Sequence, residues 1–229
     1  MKRSEINKII KDMEELCKSC NFNLPFFSKW TADDIKKANE EYDEIFDNFL
    51  GWDITDFGLG DFYKYGMGLF TIRNGNIFMK DKYPKTYAEK IIAMYPGQRA
   101  QIHYHIAKME DIINRGGNDV SIKVWNGSKD FKLLDTDVTI HTDGRKYIVP
   151  AGSEIVLHPG DSITITPFLF HDFIVPETGG MTLIGEVSMC NDDNNDNYWF
   201  NRSVGRFSDV EEDEEIYRVL CNEYGKFRN

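Results

Sequence analysis

Three side chains able to bind a metal crowd into one short stretch: His103, His105 and Glu110, at His-x-His-x4-Glu spacing within residues 97–117. On a β-strand, residues i and i+2 point to the same face, so the two imidazoles project together. Glu110 returns on the next strand and can meet them. His171, in a later strand-rich segment, is the fourth candidate. Three imidazoles and one carboxylate suit a divalent first-row ion, and manganese, iron, cobalt, nickel and zinc are all compatible. His141 and His158 lie beside the turn pairs Asp143-Gly144 and Pro159-Gly160 and read as surface residues. Cys17-Lys-Ser-Cys20 has redox or zinc spacing. It falls on the apolar stripe of a helix-like segment with no second pair, so its thiols read as reduced and partly buried.

The elements that must position these groups change along the chain. The first third is helical in pattern. Ser4 can cap a helix carrying Ile6, Ile9, Ile10, Met13, Leu16, Cys17 and Cys20 on one face, and Asn21 to Pro25 ends it. Thr31 with Asp34 is a capping-box variant that opens a second helix from Ala32 to about Phe49. Residues 51–61, rich in Gly and aromatics, read as an ordered loop. From about residue 67 the pattern turns to strands. Asn74-Gly75, between Leu69–Arg73 and Ile77–Met79, is a hairpin-turn signal. Further strand runs are expected at 87–94, 100–106, 111–115, 120–125, 138–141, 146–149, 154–157, 162–166, 170–175 and 181–187. Short strands at this spacing, separated by Gly and Pro turns, predict an antiparallel barrel or double-sheet jelly roll.

Composition narrows the function classes. A net charge of −11 makes nucleic acid or an anionic membrane an unsuitable partner. The start of the chain has basic residues but no apolar run after them, and no window approaches the roughly 18 apolar residues of a spanning helix. A cytoplasmic protein is the expectation. The Asn/Asp run 190–197 lacks the spacing of a calcium loop and reads as turns, and the acidic run Glu211–Glu215 reads as a solvated face.

The stretch from Gly97 through His103, His105 and Glu110 to Gly117 resembles the first motif of the cupin family, G-x5-H-x-H-x4-E-x6-G, with every anchor in place. The second motif, G-x5-P-x-G-x2-H-x3-N, is matched by Gly160 and His171. Pro167 is one place late, Phe168 stands where Gly is usual and Val175 where Asn is usual. The two missing residues bear on turn geometry rather than ligation. Residues 1–7, 41–45, 51–61, 69–75, 108–117 and 185–188 resemble the D-lyxose isomerase family of cupins. The resemblance implies a cupin double-stranded β-helix, a jelly-roll barrel over residues 67–190. A helical extension (1–66) would pack on it, a C-terminal segment (191–229) would follow, and the whole would form a single structural domain. It implies a cytoplasmic, often dimeric enzyme that interconverts D-lyxose with D-xylulose and D-mannose with D-fructose, with manganese favoured. It matches the family's metal ligands onto His103, His105, Glu110 and His171.

Four protein ligands on an octahedral ion leave two positions open, enough for the oxygens on C1 and C2 of a sugar. This argues for a six-coordinate ion such as Mn²⁺ over closed structural zinc. The chemistry would be proton transfer between C1 and C2 through a cis-enediol, with a carboxylate or Lys as general base and then acid. Glu186 is the first candidate, because a lone Glu in the apolar strand Leu183-Ile-Gly-Glu-Val faces a polar cavity or a partner. Lys108, between His105 and Glu110, could hydrogen-bond a sugar oxygen, and Lys90 shares a strand face with Ile92 and Met94. Rival readings are a metal-dependent dioxygenase, which would need a mostly apolar pocket, and a cupin that binds sugar without turnover. A phosphosugar isomerase would need a basic anchor, for which Arg99 and Arg115 are available.

Overall fold

The computed structural model describes residues 1–192, 196–201 and 209–228. Part of the Asn/Asp run therefore lies outside the described residues. The chain opens with helix α1 (Arg3–Ser19), followed by the short helices α2 (Ala32–Lys37) and α3 (Asp43–Asp47). Strand β1 (Gly51–Thr55) and helix α4 (Phe62–Tyr65) follow, then β2 (Met67–Arg73), β3 (Tyr87–Met94), β4 (His103–His105) and β5 (Glu110–Gly117). Next come β6 (Val120–Gly127), β7 (Leu133–Leu134), β8 (Val138–Thr142), β9 (Arg145–Val149), β10 (Glu154–Leu157) and β11 (Ser162–Ile165). Strands β12 (Leu169–Ile174), β13 (Thr182–Met189) and β14 (Asn197–Trp199) complete the β structure. The strands form two antiparallel sheets, ordered β1-β2-β3-β13-β5-β11-β8-β9 and β10-β6-β12-β4-β14, with β7 added to β6. This is the mainly β jelly-roll architecture the sequence predicts.

Two apolar clusters explain how the sheets are held. Ile6, Ile9, Ile10 and Met13 of α1 pack on Trp52, Ile54, Phe70, Ile91, Ala93 and Leu183, the outer face of the larger sheet. Ile92, Met94, Ile112, Ile122, Val124, Ile163 and Ile184 fill the space between the sheets. Successive side chains alternate faces, so β3 sends Ile91 and Ala93 outward to the helices and Lys90, Ile92 and Met94 inward. Glu186 follows Ile184 on the inner face of β13 in the same way. Because both faces of β3 and β13 are covered, these strands read as nearly continuous apolar runs.

The structure departs from the sequence reading in four places. Ser4 does not cap α1: the N-cap is Lys2, and the Ser4 hydroxyl donates to Asp213 at 2.8 Å. The second helix is opened by the capping box at Thr31 and Asp34 but stops at Lys37, because Asn39 caps a separate turn by accepting from the Glu41 N–H. Residues 51–55, expected in a loop, form β1. Asn74-Gly75 does not join two strands. Residues 77–79 form no strand, because the Asn76 side-chain oxygen Oδ1 accepts from the N–H groups of Phe78 and Met79, both at 3.0 Å. Gly75 instead permits a close approach, since a Cβ there would collide with the Lys85 carbonyl oxygen.

Candidate active site

The two histidines of β4 and the one on β12 meet because β12 pairs with β4 in the register His171↔His103. Their candidate ligand nitrogens all lie within 4.8 Å of one another. Backbone carbonyls orient two of the rings. His103 Nδ1–H donates to the Gln101 carbonyl at 2.8 Å, and His171 Nδ1–H to the Leu169 carbonyl at 3.0 Å. Each Nε2 is thereby left as a lone-pair donor turned into the site. His171 Nε2 and His105 Nδ1 are buried without a hydrogen-bond partner. A buried polar atom left this way costs roughly 1–3 kcal/mol, which a bound ion would offset for a nitrogen that ligates it. Glu110, at the start of β5, brings Oε1 to 3.2 Å from His105 Nε2 and 3.3 Å from His171 Nε2. Burial, reinforced by the neighbouring imidazoles, holds His103 well below its ordinary pKa, and burial likewise lowers His105. Both are therefore neutral, the form that ligates metal. The donor set fits a divalent cation.

A chain of buried charges runs on from this cluster. Lys108 Nζ lies 2.6 Å from Glu110 Oε2 and 2.9 Å from Glu186 Oε1, and Lys90 Nζ lies 3.6 Å from Glu186 Oε1. The Ser188 hydroxyl donates to Glu186 Oε1 at 3.1 Å. Lys90 and Glu186 are register partners on β3 and β13. Lys108 is no solvated loop residue. It is 5% exposed, and its loop is pinned by Asp196, whose carboxylate accepts from the N–H groups of Ala107 at 2.6 Å and Lys108 at 2.9 Å. Burial is the largest influence on both Glu110 and Glu186 and opposes ionisation. The Lys108 charge, with His105 at Glu110 and Lys90 at Glu186, outweighs it and holds both carboxyls below their ordinary range. Lys108 is also opposed first by burial, yet Glu110 and Glu186 raise its pKa above the usual lysine value.

These groups line one partly enclosed cavity that opens to solvent. His103, His105, Glu110, Lys108, Glu186 and Lys90 all border it. His171 contacts them from behind and is fully buried. The sequence reading missed the rest of the lining. Asp53 and Thr55 on β1 and Thr71 on β2 extend the polar wall, and Phe57, Phe173 and Trp199 supply an aromatic one. The period-2 alternation of Trp52, Asp53, Ile54 and Thr55 was the available signal, obscured by the flanking glycines and aspartates. Phe168, standing where the cupin motif has glycine, has φ 61°, in the left-handed region that favours glycine. Arg99 pairs with Asp172 at 2.6 Å, and neither Arg99 nor Arg115 reaches the cavity.

A family model described as D-lyxose isomerase matches residues 1–224. The chain is 39% identical over 229 residues to a D-lyxose/D-mannose isomerase from Escherichia coli O157:H7, covering all of both chains. It is 40% identical over 228 residues to a D-lyxose/D-mannose isomerase from Serratia proteamaculans, covering 99% of each. Among solved structures, it is similar in fold to L-ribose isomerases. That of Cellulomonas parahominis, solved with L-ribose, has a TM-score of 0.60 at 13% identity, and that of Geodermatophilus obscurus has 0.58 at 14%. Each comparison covers 92% of this chain and 98% of the other.

Proposed function

The chain belongs to the D-lyxose isomerase family, and on that premise we propose that it interconverts D-lyxose with D-xylulose and D-mannose with D-fructose. The observation that carries the reading is the buried row Lys90–Glu186–Lys108–Glu110, which abuts the cluster of three buried imidazoles. His103, His105, His171 and Glu110 would hold a divalent cation, with Mn²⁺ favoured. When bound, the cation polarises the sugar carbonyl and offsets negative charge that develops on O1 and O2.

The protein's own groups do the proton chemistry. Aldose-to-ketose conversion moves hydrogen from C2 to C1 and the hydroxyl hydrogen from O2 to O1, through a cis-enediol, with no oxidant or reductant. Glu186, kept ionised by two lysines, takes the C2 proton as carboxylate and returns it to C1 as acid. Lys108, bridging Glu110 and Glu186, donates hydrogen bonds toward the sugar oxygen that gains charge. Lys90 orients Glu186 from the neighbouring strand and can reach a hydroxyl. Asp53, Thr55 and Thr71 give the polar wall a free sugar needs, which favours an isomerase over a dioxygenase with an apolar substrate. Among the described residues the cavity lining contains no arginine, which favours free sugars over sugar phosphates. A cytoplasmic homodimer is the setting the family resemblance supports. No described helix is long and apolar enough to cross a membrane.

The test is to strip the protein with chelator, restore Mn²⁺ and assay ketose from D-lyxose and D-mannose. Ketose from both, dependent on the restored ion, is the expected result. No ketose from either sugar would refute the proposal.

A further inference from the structure

The turn that follows β1 holds a non-glycine residue in a conformation that favours glycine. Phe57 has φ 55°, and Gly58 beside it has φ 71°. A residue with a Cβ loses about 1–2 kcal/mol in this region, and such strain gathers at functional sites. The surrounding turn determines it fully. The Phe57 N–H donates to Thr55 Oγ1 at 2.9 Å, and the Gly58 and Gly60 N–H groups donate to the buried Asp56 carboxylate at 2.9 and 3.1 Å. The result is a ring delivered into the cavity rather than to the helix-facing core that Trp52 and Ile54 occupy.

Once there, the ring meets Trp199 at 5.2 Å between centroids, and Trp199 lies 4.7 Å from the His103 ring. Met67, Ala100 and Phe173 line the same part of the cavity. In the binding mode proposed above, with the first two oxygens among the imidazoles, Glu110 and Lys108, the remaining carbons of the sugar lie between this apolar lining and the polar lining of Asp53, Thr55 and Thr71. Trp199 can take a C–H face. On the apolar side, Phe57 is a bulky lining residue that would limit the room for one more hydroxymethylene unit and offers its hydroxyl no hydrogen bond.

We infer that Phe57 is a specificity residue that selects a five-carbon over a six-carbon open chain. The inference rests on the isomerase reading above. An apolar wall discriminates one such unit by roughly 10- to 200-fold. A purely structural role for Phe57 would lower stability and slow both sugars alike, leaving their ratio fixed.

The experiment measures kcat/KM for D-lyxose and D-mannose with Mn²⁺-restored wild type, Phe57→Leu and Phe57→Ala, with melting temperature and metal content monitored. The D-mannose to D-lyxose ratio should rise by about tenfold or more in Phe57→Ala and by less in Phe57→Leu. Phe57→Leu keeps the test open if the alanine variant does not fold. A ratio within about twofold of wild type in the folded, metal-loaded variants overturns this inference alone. A wild type that converts neither sugar overturns the isomerase reading and this inference together.

Discussion

Replacing Glu186 by Gln tests the buried charge row most directly. Two ammonium groups, Lys90 and Lys108, face two carboxylates, Glu110 and Glu186, and all four side chains are under 10% exposed. After Glu186→Gln, two positive charges face one negative charge in the same enclosed space. Removing one partner of a buried ion pair costs about 3–5 kcal/mol, because the charge left behind has lost its compensation. For a chain of this size each kcal/mol lowers the melting temperature by about 2–4 °C, so a drop of about 6–20 °C is expected by calorimetry. Activity should fall further than stability explains, by about 10²–10⁴ in kcat, the usual contribution of a positioned acid–base group. Metal content should hold, since no imidazole is touched. The double variant Lys108→Met/Glu186→Gln should recover part of the lost stability and none of the rate, because it restores one charge of each sign. A folded, metal-loaded Glu186→Gln enzyme that isomerises D-lyxose within about tenfold of the wild-type rate would refute the assignment of Glu186 as the proton-moving group.

Three further outcomes are expected. His103→Ala and His171→Ala should each lose bound divalent metal, measured by elemental analysis; either variant with full occupancy and an unchanged coordination spectrum would remove that histidine from the ligand set. Phe168→Gly should melt about 2–4 °C above Phe168→Ala, because both lose the ring packed 5.4 Å from Tyr104 but only glycine relieves the left-handed backbone, by about 1 kcal/mol; equal melting temperatures would mean that no strain is held there. Acid sensitivity should fall in Glu223→Gln. Burial would raise the Glu223 pKa, but hydrogen bonds from Arg3 and Lys226 outweigh it and hold the carboxyl low. The stability it contributes is therefore complete above its unfolded value of about 4.3 and is lost as pH falls through the lower folded value. Urea unfolding from pH 6 downward should show a shallower acid loss in the variant, and identical slopes would refute the coupling.

What the sequence determined by itself was the set of candidate site residues and most of the β framework. Histidines two apart must share a strand face, and the strands carrying Lys90 and Glu186 were legible from unbroken apolar runs between turn residues. Local signals failed where a distant segment competed for the same groups. Ser4 looked like a cap until Asp213, far along the chain, took its hydroxyl, and Asn76 took the N–H groups that a hairpin strand would have used. Only the tertiary structure decided that residues 51–55 pair with β2 as a strand, and so that Asp53, Thr55 and Phe57 border the cavity. Only it placed Lys108 between two carboxylates on different strands, and His171 opposite His103. The physical reason is the same in each case. Residue type and spacing fix which face of a strand a side chain occupies, whereas its partner across the barrel depends on register between strands remote in sequence.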